Sequence, residues 1–354
     1  MLDLSSDAGS LTGALVDVPS VSGGEAELAD LVEAALRGYP ALVVERDGNV
    51  VLARTELGRA QRVVLAGHLD TVPTADNVPS RVEGGVLYGC GSADMKSGVA
   101  VLLRIAHLVG SGALDPRVDL SWVCYDCEEV EAARNGLGRL ARDRPGVLGG
   151  DLAVLLEPTG GVIEGGCQGT VRALVTTHGV RAHAARSWLG VNAIHAAAPI
   201  LERLADYPAR EILVDGLTYR EGLNAVAITG GVAGNVIPDE CTVTVNFRYA
   251  PDRTEPEAQA HLREVFHGFA VDVTDSAPAA RPGLDAALPK AMVAAIGGEP
   301  RAKLGWTDVA RFGELGMPAV NFGPGDPNLA HTRDEHVELA AVADAETALV
   351  RFLS

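Results

Sequence analysis

The sequence predicts an α/β protein: a mixed, mostly parallel sheet flanked by helices, with a smaller α+β domain inserted into it. Three observations carry this expectation. Short apolar, β-rich runs at 63–66, 118–124, 152–156 and 319–322 read as buried strands. Helical periodicity at 99–108 and 339–353 alternates with them, as crossover connections between parallel strands require. The middle of the chain instead carries period-2 alternation, Val171, Ala173 and Val175 and then Val243, Val245 and Phe247.

Taken in order, Ser22-Gly-Gly-Glu25 reads as a capping box ahead of Leu28, Leu31, Val32, Ala35 and Leu36 at helical spacing. Residues 43–52, broken by Asp47-Gly48, read as a hairpin. The middle segment reads strand 170–177, helix 192–205, strands 225–232 and 242–248, helix 255–267 and strand 270–273. That β-α-β-β-α-β order is the split pattern of a ferredoxin-like sandwich. Gly165, Gly166 and Gly169 precede it, and Pro278, Pro282 and Gly283 follow it, as at hinges. The expected organisation is residues 1–169 and 281–354 in one domain and 170–280 in the insertion.

The 354 residues carry a formal charge of −18, with Asp+Glu 47 against Lys+Arg 29. Such a surface repels nucleic acid and anionic membrane, so neither is an expected partner. No apolar run is long enough to span a bilayer and the N-terminus lacks a signal pattern, so the expected location is cytoplasmic. Five cysteines argue against a disulfide framework. The pair Cys124-x-x-Cys127 reads as two strand-end thiols more readily than as a redox or zinc motif.

Gly67-His68-Leu69-Asp70-Thr71 follows the strand at 63–66, which puts His68 at a carboxyl strand end, where open α/β sheets gather their ligands. Asp94, the pair Glu128-Glu129, Glu157 and His331 arrive at equivalent places. Each has an ordinary reading by itself: a solvated Glu-Glu turn, a helix cap, a strand terminus before Pro158, a surface-loop histidine. Gathered in one crevice they would repel one another strongly without a cation, and two histidines with several carboxylates suit zinc, cobalt or manganese. The count fits two ions about 3.5–4 Å apart: His68 with Glu157, Glu129 with His331, and Asp94 between. Glu128, left over, is then the general base, and Asp70 supports the His68 imidazole.

These residues resemble the zinc aminoacyl hydrolase family that includes acetylornithine deacetylase, carboxypeptidase G and the succinyl-diaminopimelate desuccinylases. The matching pieces are Gly67–Thr71, Leu87-Tyr-Gly-Cys-Gly-Ser-Ala-Asp94-Met-Lys-Ser-Gly98, Asp126-Cys-Glu-Glu129, Leu156-Glu-Pro-Thr159, Ala182-His183-Ala, Gly234-Asn-Val-Ile-Pro-Asp239 and Phe322-Gly-Pro-Gly-Asp326 leading to Ala330-His331. Their arrangement is most similar to the desuccinylases. The resemblance implies a zinc-peptidase-like fold, two Zn2+ (with Co2+ or Mn2+ as substitutes) and a cis peptide after Asp94. It implies an inserted domain acting as lid and dimerisation surface of a homodimer, with His183 reaching the partner's site to hold the oxyanion. It implies substrate contacts at Asn235, Arg248 and Thr307. The reaction implied is hydrolysis of N-succinyl-LL-2,6-diaminopimelate to succinate and LL-2,6-diaminopimelate by a dizinc-activated water, in lysine and cell-wall biosynthesis.

Two departures bear on the acyl group. Cys90 stands where members of the family often carry Arg, and Cys167-Gln168-Gly169-Thr170 stands where desuccinylases carry arginines; Arg172, Arg186 and Lys303 are possible substitutes. The alternatives are an acetylornithine deacetylase-like or other N-acyl-amino-acid deacylase, a dipeptidase, a metal-binding dimerisation module without catalysis, and a thiol redox protein using Cys124 and Cys127.

Overall fold

A computed structural model describes residues 2–354. The chain divides into two compact units. One comprises Met1–Gly166, Pro282–Arg301 and Asp308–Ser354, and the other Cys167–Arg281 and Ala302–Thr307. In chain order the strands of the two principal sheets are β1 (Val43–Asp47), β2 (Val50–Arg54), β3 (Arg62–His68), β4 (Asp119–Tyr125), β5 (Leu152–Leu155), β6 (Gly169–His178), β7 (Gly222–Gly230), β8 (Glu240–Tyr249), β9 (Ala270–Ala277) and β10 (Ala319–Asn321).

The first unit is built on the sheet order β1-β2-β4-β3-β5-β10, continued by the short strands Glu164–Gly165 and Arg301–Ala302. β3 pairs parallel with β4 and β5, and β5 parallel with β10, whereas β1, β2 and β4 are joined antiparallel. β3, β4 and β5 are buried almost end to end, which is why they read as continuous apolar runs rather than alternating ones. Helices Ala8–Val16, Ala26–Leu36, Ser97–Gly110 and Leu339–Leu353 supply Leu11, Val32, Leu102 and Leu349 to one apolar cluster with Val63, Leu65 and Val154. Gly98 lets helix Ser97–Gly110 start hard against the end of β5, since a Cβ there would meet the Leu156 carbonyl oxygen at 2.0 Å. The parallel register, with His68 beside Tyr125 and Leu155 beside Asn321, sends the chain out of four strands at one edge.

The second unit holds the sheet β7-β8-β6-β9, antiparallel throughout. Its helices Ala193–Ala196, Ala198–Ala205 and Glu255–Val265 make the order β-α-β-β-α-β. Ala193, Ile200, Ala258 and Leu262 pack on Val171, Val175, Val243 and Phe247, so the alternating residues face the helices. The segment 192–205 is two short helices meeting at Ala197, because Pro199 lacks the N–H that would continue one ladder. The hairpin Glu211–Val214 with Leu217–Arg220 lies outside that order and carries no strong period in the sequence.

The capping box at Ser22–Glu25 is not what the structure contains. Helix Ala26–Leu36 has no side-chain cap. The Ser22 hydroxyl instead donates to Asp70 Oδ2 at 2.7 Å, and the buried Glu25 accepts the Gly23 and Cys127 N–H groups at 2.7 and 3.2 Å. A short-range motif was available, but these side chains find longer-range partners.

Candidate metal and catalytic centre

Four parallel strands and one loop deliver the donors, all within the first unit. His68 ends β3 and is 1% exposed; Glu157 follows β5 and is 5% exposed. Glu128 and Glu129 follow β4, and His331 follows β10 through the loop at 322–330. Gly325 brings that loop in, because a Cβ there would stand 2.3 Å from the Ala93 carbonyl oxygen. Asp94 comes from the segment Ser92–Lys96 that leads into helix Ser97–Gly110, and the Asp94–Met95 peptide is cis.

Asp94 is shared by two donor sets. The ligand atoms of His68, Asp94 and Glu157 lie within 4.8 Å of one another, and so do those of Asp94, Glu129 and His331. His68 Nε2 is 3.2 Å from Asp94 Oδ1, while His331 Nε2 is 3.6 Å from Asp94 Oδ2 and 2.8 Å from Glu129 Oε1. Each histidine thus turns its Nε2 to a different oxygen of one carboxylate. Among the described residues, no lysine or arginine pairs with Asp94 or Glu129 within 4 Å. In this chain the histidines themselves supply the positive charge. Hydrogen bonds to Asp94 and Glu129 hold the His331 imidazolium up to about 10. Burial works against a charged His68, but the hydrogen bonds and charges of Asp70 and Asp94 outweigh it and raise its pKa. Burial likewise opposes the Asp94 anion, and the two histidines overcome it. This donor set, with carboxylates and imidazoles converging and the charge met only by protons, fits two divalent cations.

Asp70 lies behind this constellation with three tasks. Its backbone carbonyl is 3.0 Å from His68 Nδ1, which leaves Nε2 for the crevice; its carboxylate Oδ1 is farther, at 3.5 Å. The carboxylate itself accepts the Glu128 N–H at 3.0 Å and the Glu129 N–H at 3.1 Å. It also accepts the Ser22 hydroxyl. Burial would raise its pKa, but His68 and these donors bring it down to about 2. The Glu-Glu pair is thereby held by its backbone, with its side chains free to face the site.

Glu128 is partly buried, and its ligand atom groups with those of His68 and Glu129. Desolvation raises its pKa well above the usual carboxylate range; His68 opposes this, and the charges of Glu157, Asp308 and Glu129 add to it. A carboxyl raised in this way is suited to take and return a proton near neutral pH. Asp308 is fully buried, accepts from Asn135 Nδ2 at 2.9 Å and pairs with Arg311.

The remaining expected residues belong to the second unit. His183 is exposed, and its Nδ1 accepts the Ala185 N–H at 3.0 Å, which puts the proton of the neutral ring on Nε2. Asn235 is its neighbour, its carbonyl accepting the Ala184 N–H at 2.8 Å. Arg248 stands on β8, its Nε donating to Asn246 Oδ1 at 3.2 Å. Thr307 is 4% exposed, and its carbonyl accepts from Cys167 Sγ.

Sequence reasoning missed Glu335. This carboxylate is 1% exposed and accepts three backbone N–H groups at 3.0 Å: Gly91 on Oε2, Ala93 and Asp94 on Oε1. It fixes the segment that presents Asp94 from 241 positions away. It lies in the polar run Thr332-Arg333-Asp334-Glu335-His336 after His331, where nothing local sets it apart from Asp334. The cysteines are all free and buried, and burial pushes Cys124 up to about 12 and Cys127 to about 11. Both are thiols, not thiolates, at neutral pH, which removes the basis for the redox reading.

An α/β sheet gathering imidazoles and carboxylates at one edge is the arrangement of a metal-dependent hydrolase. The profile of peptidase family M20/M25/M40 matches residues 64–354, and the chain belongs to that metal-dependent family. It is 56% identical to a Mycobacterium tuberculosis protein provisionally named succinyl-diaminopimelate desuccinylase DapE, covering 100% of this chain and 99% of that one. It is 51% identical to the succinyl-diaminopimelate desuccinylase of Corynebacterium glutamicum, covering 100% and 98%. Among solved structures it is similar to a tripeptidase from Staphylococcus aureus, with TM-score 0.82 and 20% identity over 100% of this chain and 98% of that one. At that identity the likeness concerns the fold.

Proposed function

We propose that the protein hydrolyses N-succinyl-LL-2,6-diaminopimelate to succinate and LL-2,6-diaminopimelate, with two divalent cations, zinc by preference. The observation that carries the reading is the Asp94 carboxylate shared by two His-carboxylate sets, with Glu128 beside them. Full-length identity of 51% to the Corynebacterium glutamicum enzyme supports the substrate.

His68 and Glu157 would hold one cation and Glu129 and His331 the other, with Asp94 common to both sets. Cations held there polarise an acyl carbonyl and lower the pKa of water. Glu128 removes a proton from the attacking water and delivers it to the departing amine; its raised pKa lets it keep the proton between the two steps. The Nε2–H of His183, fixed by the bond at Nδ1, donates to the oxyanion of the tetrahedral intermediate. Asn235, Arg248 and Thr307 contact the substrate.

The second unit serves as lid and as the contact between two copies of the chain, with His183 acting in the partner's site. Supporting this, the sheet edge at β7 is uncovered, and Val226 and Ile228 on it are 59% and 50% exposed, with Trp188 at 76% nearby in sequence to His183. Apolar exposure on that scale, at the free outer edge of β7, suits a self-association surface.

The test is amine release from a panel of N-succinyl, N-acetyl and dipeptide substrates by zinc-loaded protein. Release from the succinyl substrate at least tenfold above the others is expected. Preference for an N-acetyl substrate would replace the reading with a deacetylase, and no release from any would end it.

A further inference from the structure

Glu128 and Glu129 stand near the start of the loop 126–135, which leaves β4 and returns at helix Gly136–Asp143. The loop's opening is held by its backbone: Glu25 accepts the Cys127 N–H, and Asp70 accepts those of Glu128 and Glu129. Residues 131–134 are exposed, and they are tied chiefly to one another, by the Arg134 N–H on the Glu131 carbonyl at 2.8 Å and an ion pair between the same two residues at 3.9 Å. The chain then turns back into the core at Asn135, which is 2% exposed.

Asn135 meets Asp308 there. This aspartate is fully buried; Oδ2 accepts Asn135 Nδ2 at 2.9 Å and Oδ1 accepts Arg311 Nε. The Asn135 Oδ1 accepts the Gly138 N–H at 2.8 Å and caps helix Gly136–Asp143. The packing around this junction is close, since a Cβ on Gly138 would stand 2.8 Å from the Arg311 guanidinium. The Gly136 N–H donates to the Asp126 carbonyl at 2.8 Å, so the two ends of the loop lie side by side.

The residue before the loop turns to the same carboxylate. Tyr125, the last residue of β4, is fully buried in register with His68, and its ring lies edge-on to that imidazole with centroids 6.2 Å apart. Its hydroxyl finds no hydrogen-bond partner among the described residues. Burial raises the phenol pKa most, and the charge of Asp308 comes next, ahead of those of Glu157 and Glu128. Asp308 itself belongs to none of the donor sets of the centre. A buried carboxylate is costly unless its hydrogen bonds are used, and those of Asp308 are spent on the return of this loop.

We propose that Asp308 is a positioning residue for the loop that carries Glu128 and Glu129, closing it at its base through Asn135. This rests on the roles proposed above for those two glutamates and extends them. Bonds at 127–129 fix where the loop begins, and the bond at Asn135 fixes how it returns. A shift of about 1 Å in a reacting group, caused from a distance, can cost about 10²-fold in rate.

The experiment compares wild type, Asn135→Ser, Asp308→Asn, the double variant and Leu140→Ala. Serine at 135 still caps the helix but lacks the amide donor to Asp308. In Asn135→Ser and in Asp308→Asn, kcat on the succinyl amide at saturating zinc falls about tenfold, while KM stays within about twofold. Zinc affinity, read against a competing chelator, falls about tenfold because Glu129 rides on the same loop. The double variant loses no more than the worse single one, since both cut one link. Leu140 is 1% exposed on the same helix, so Leu140→Ala lowers the urea midpoint, yet kcat and zinc affinity stay within about twofold of wild type. Unchanged kcat and zinc affinity in folded Asn135→Ser overturns the proposal, whether or not Asp308→Asn folds. So does a double variant whose losses multiply, or a Leu140→Ala protein that loses as much as Asn135→Ser. Wild type that hydrolyses no amide, with zinc weakened in Asn135→Ser but not in Leu140→Ala, would instead overturn the proposed function alone.

Discussion

Glu335 offers the sharpest structural prediction, because its buried carboxylate is taken up by backbone N–H groups and so holds the segment that presents Asp94. Three N–H groups, from Gly91, Ala93 and Asp94, end on it at 3.0 Å in a place where it is 1% exposed. In Glu335→Ala all three donors lose their acceptor. An unsatisfied buried donor costs about 1–3 kcal/mol, and water entering the vacated space offsets part, so the metal-free protein should lose about 3–5 kcal/mol. Glu335→Gln is the more informative change. The amide oxygen can keep the Ala93 and Asp94 bonds, but an NH2 group then faces the Gly91 N–H, for a loss of about 1–3 kcal/mol. With Asp94 less firmly held, metal affinity should fall about 10–100-fold in Glu335→Gln, as for other groups that orient ligands from behind. The assays are urea unfolding of the metal-free protein and zinc titration against a competing chelator. A Glu335→Gln protein with unchanged urea midpoint and unchanged zinc affinity would refute the positioning argument.

Glu128→Gln should lower kcat about 10²–10⁴-fold while binding as much zinc as wild type, checked by turnover and metal analysis of the same sample. His183→Ala should lower kcat about 10²–10³-fold with little change in KM. Mixing it with Glu128→Gln should restore about a quarter of wild-type activity, since half the dimers are hybrids with one intact site of two; no recovery would place His183 in its own subunit's site. Metal binding should release protons, because His331 holds its proton up to about 10 and His68 is also raised, whereas a metal takes the neutral ring. Zinc affinity should therefore rise with pH between about 7 and 10, read by calorimetry in buffers of different ionisation enthalpy. In the metal-free protein the sign reverses. A histidine whose pKa is raised by folding contributes fully below about 6.5, and that contribution fades as pH rises toward 10. The stability difference between wild type and His331→Ala should shrink over that interval.

The sheet was legible because its strands are buried on both faces and so read as unbroken apolar runs, as in Val63-Val64-Leu65-Ala66. The inserted unit was legible for the opposite reason, since Val243, Val245 and Phe247 face helices and their neighbours do not. Short strands such as Val86–Tyr88 and His336–Glu338 have three residues each and carry no period to read. At the candidate site, His68, Asp94, Glu129, Glu157 and His331 stood out because a chemically costly residue follows each strand or loop. Glu335 did not, because its work is done on backbone N–H groups far away in sequence, which no local pattern announces; Glu25, read as part of a cap, likewise reaches the distant Cys127 N–H. Ser22 was misread for the same reason: a serine three residues before a glutamate suggests a cap, and only the fold reveals Asp70 beside it.

The central claim is that one carboxylate, Asp94, joins two His-carboxylate sets into a site for a pair of divalent ions. Metal analysis of zinc-loaded, dialysed protein tests it directly. The account predicts two zinc ions per chain in wild type and loss of both from Asp94→Ala, with the fold retained by circular dichroism. A single ion per chain in wild type, or two ions kept by a folded Asp94→Ala, would contradict it.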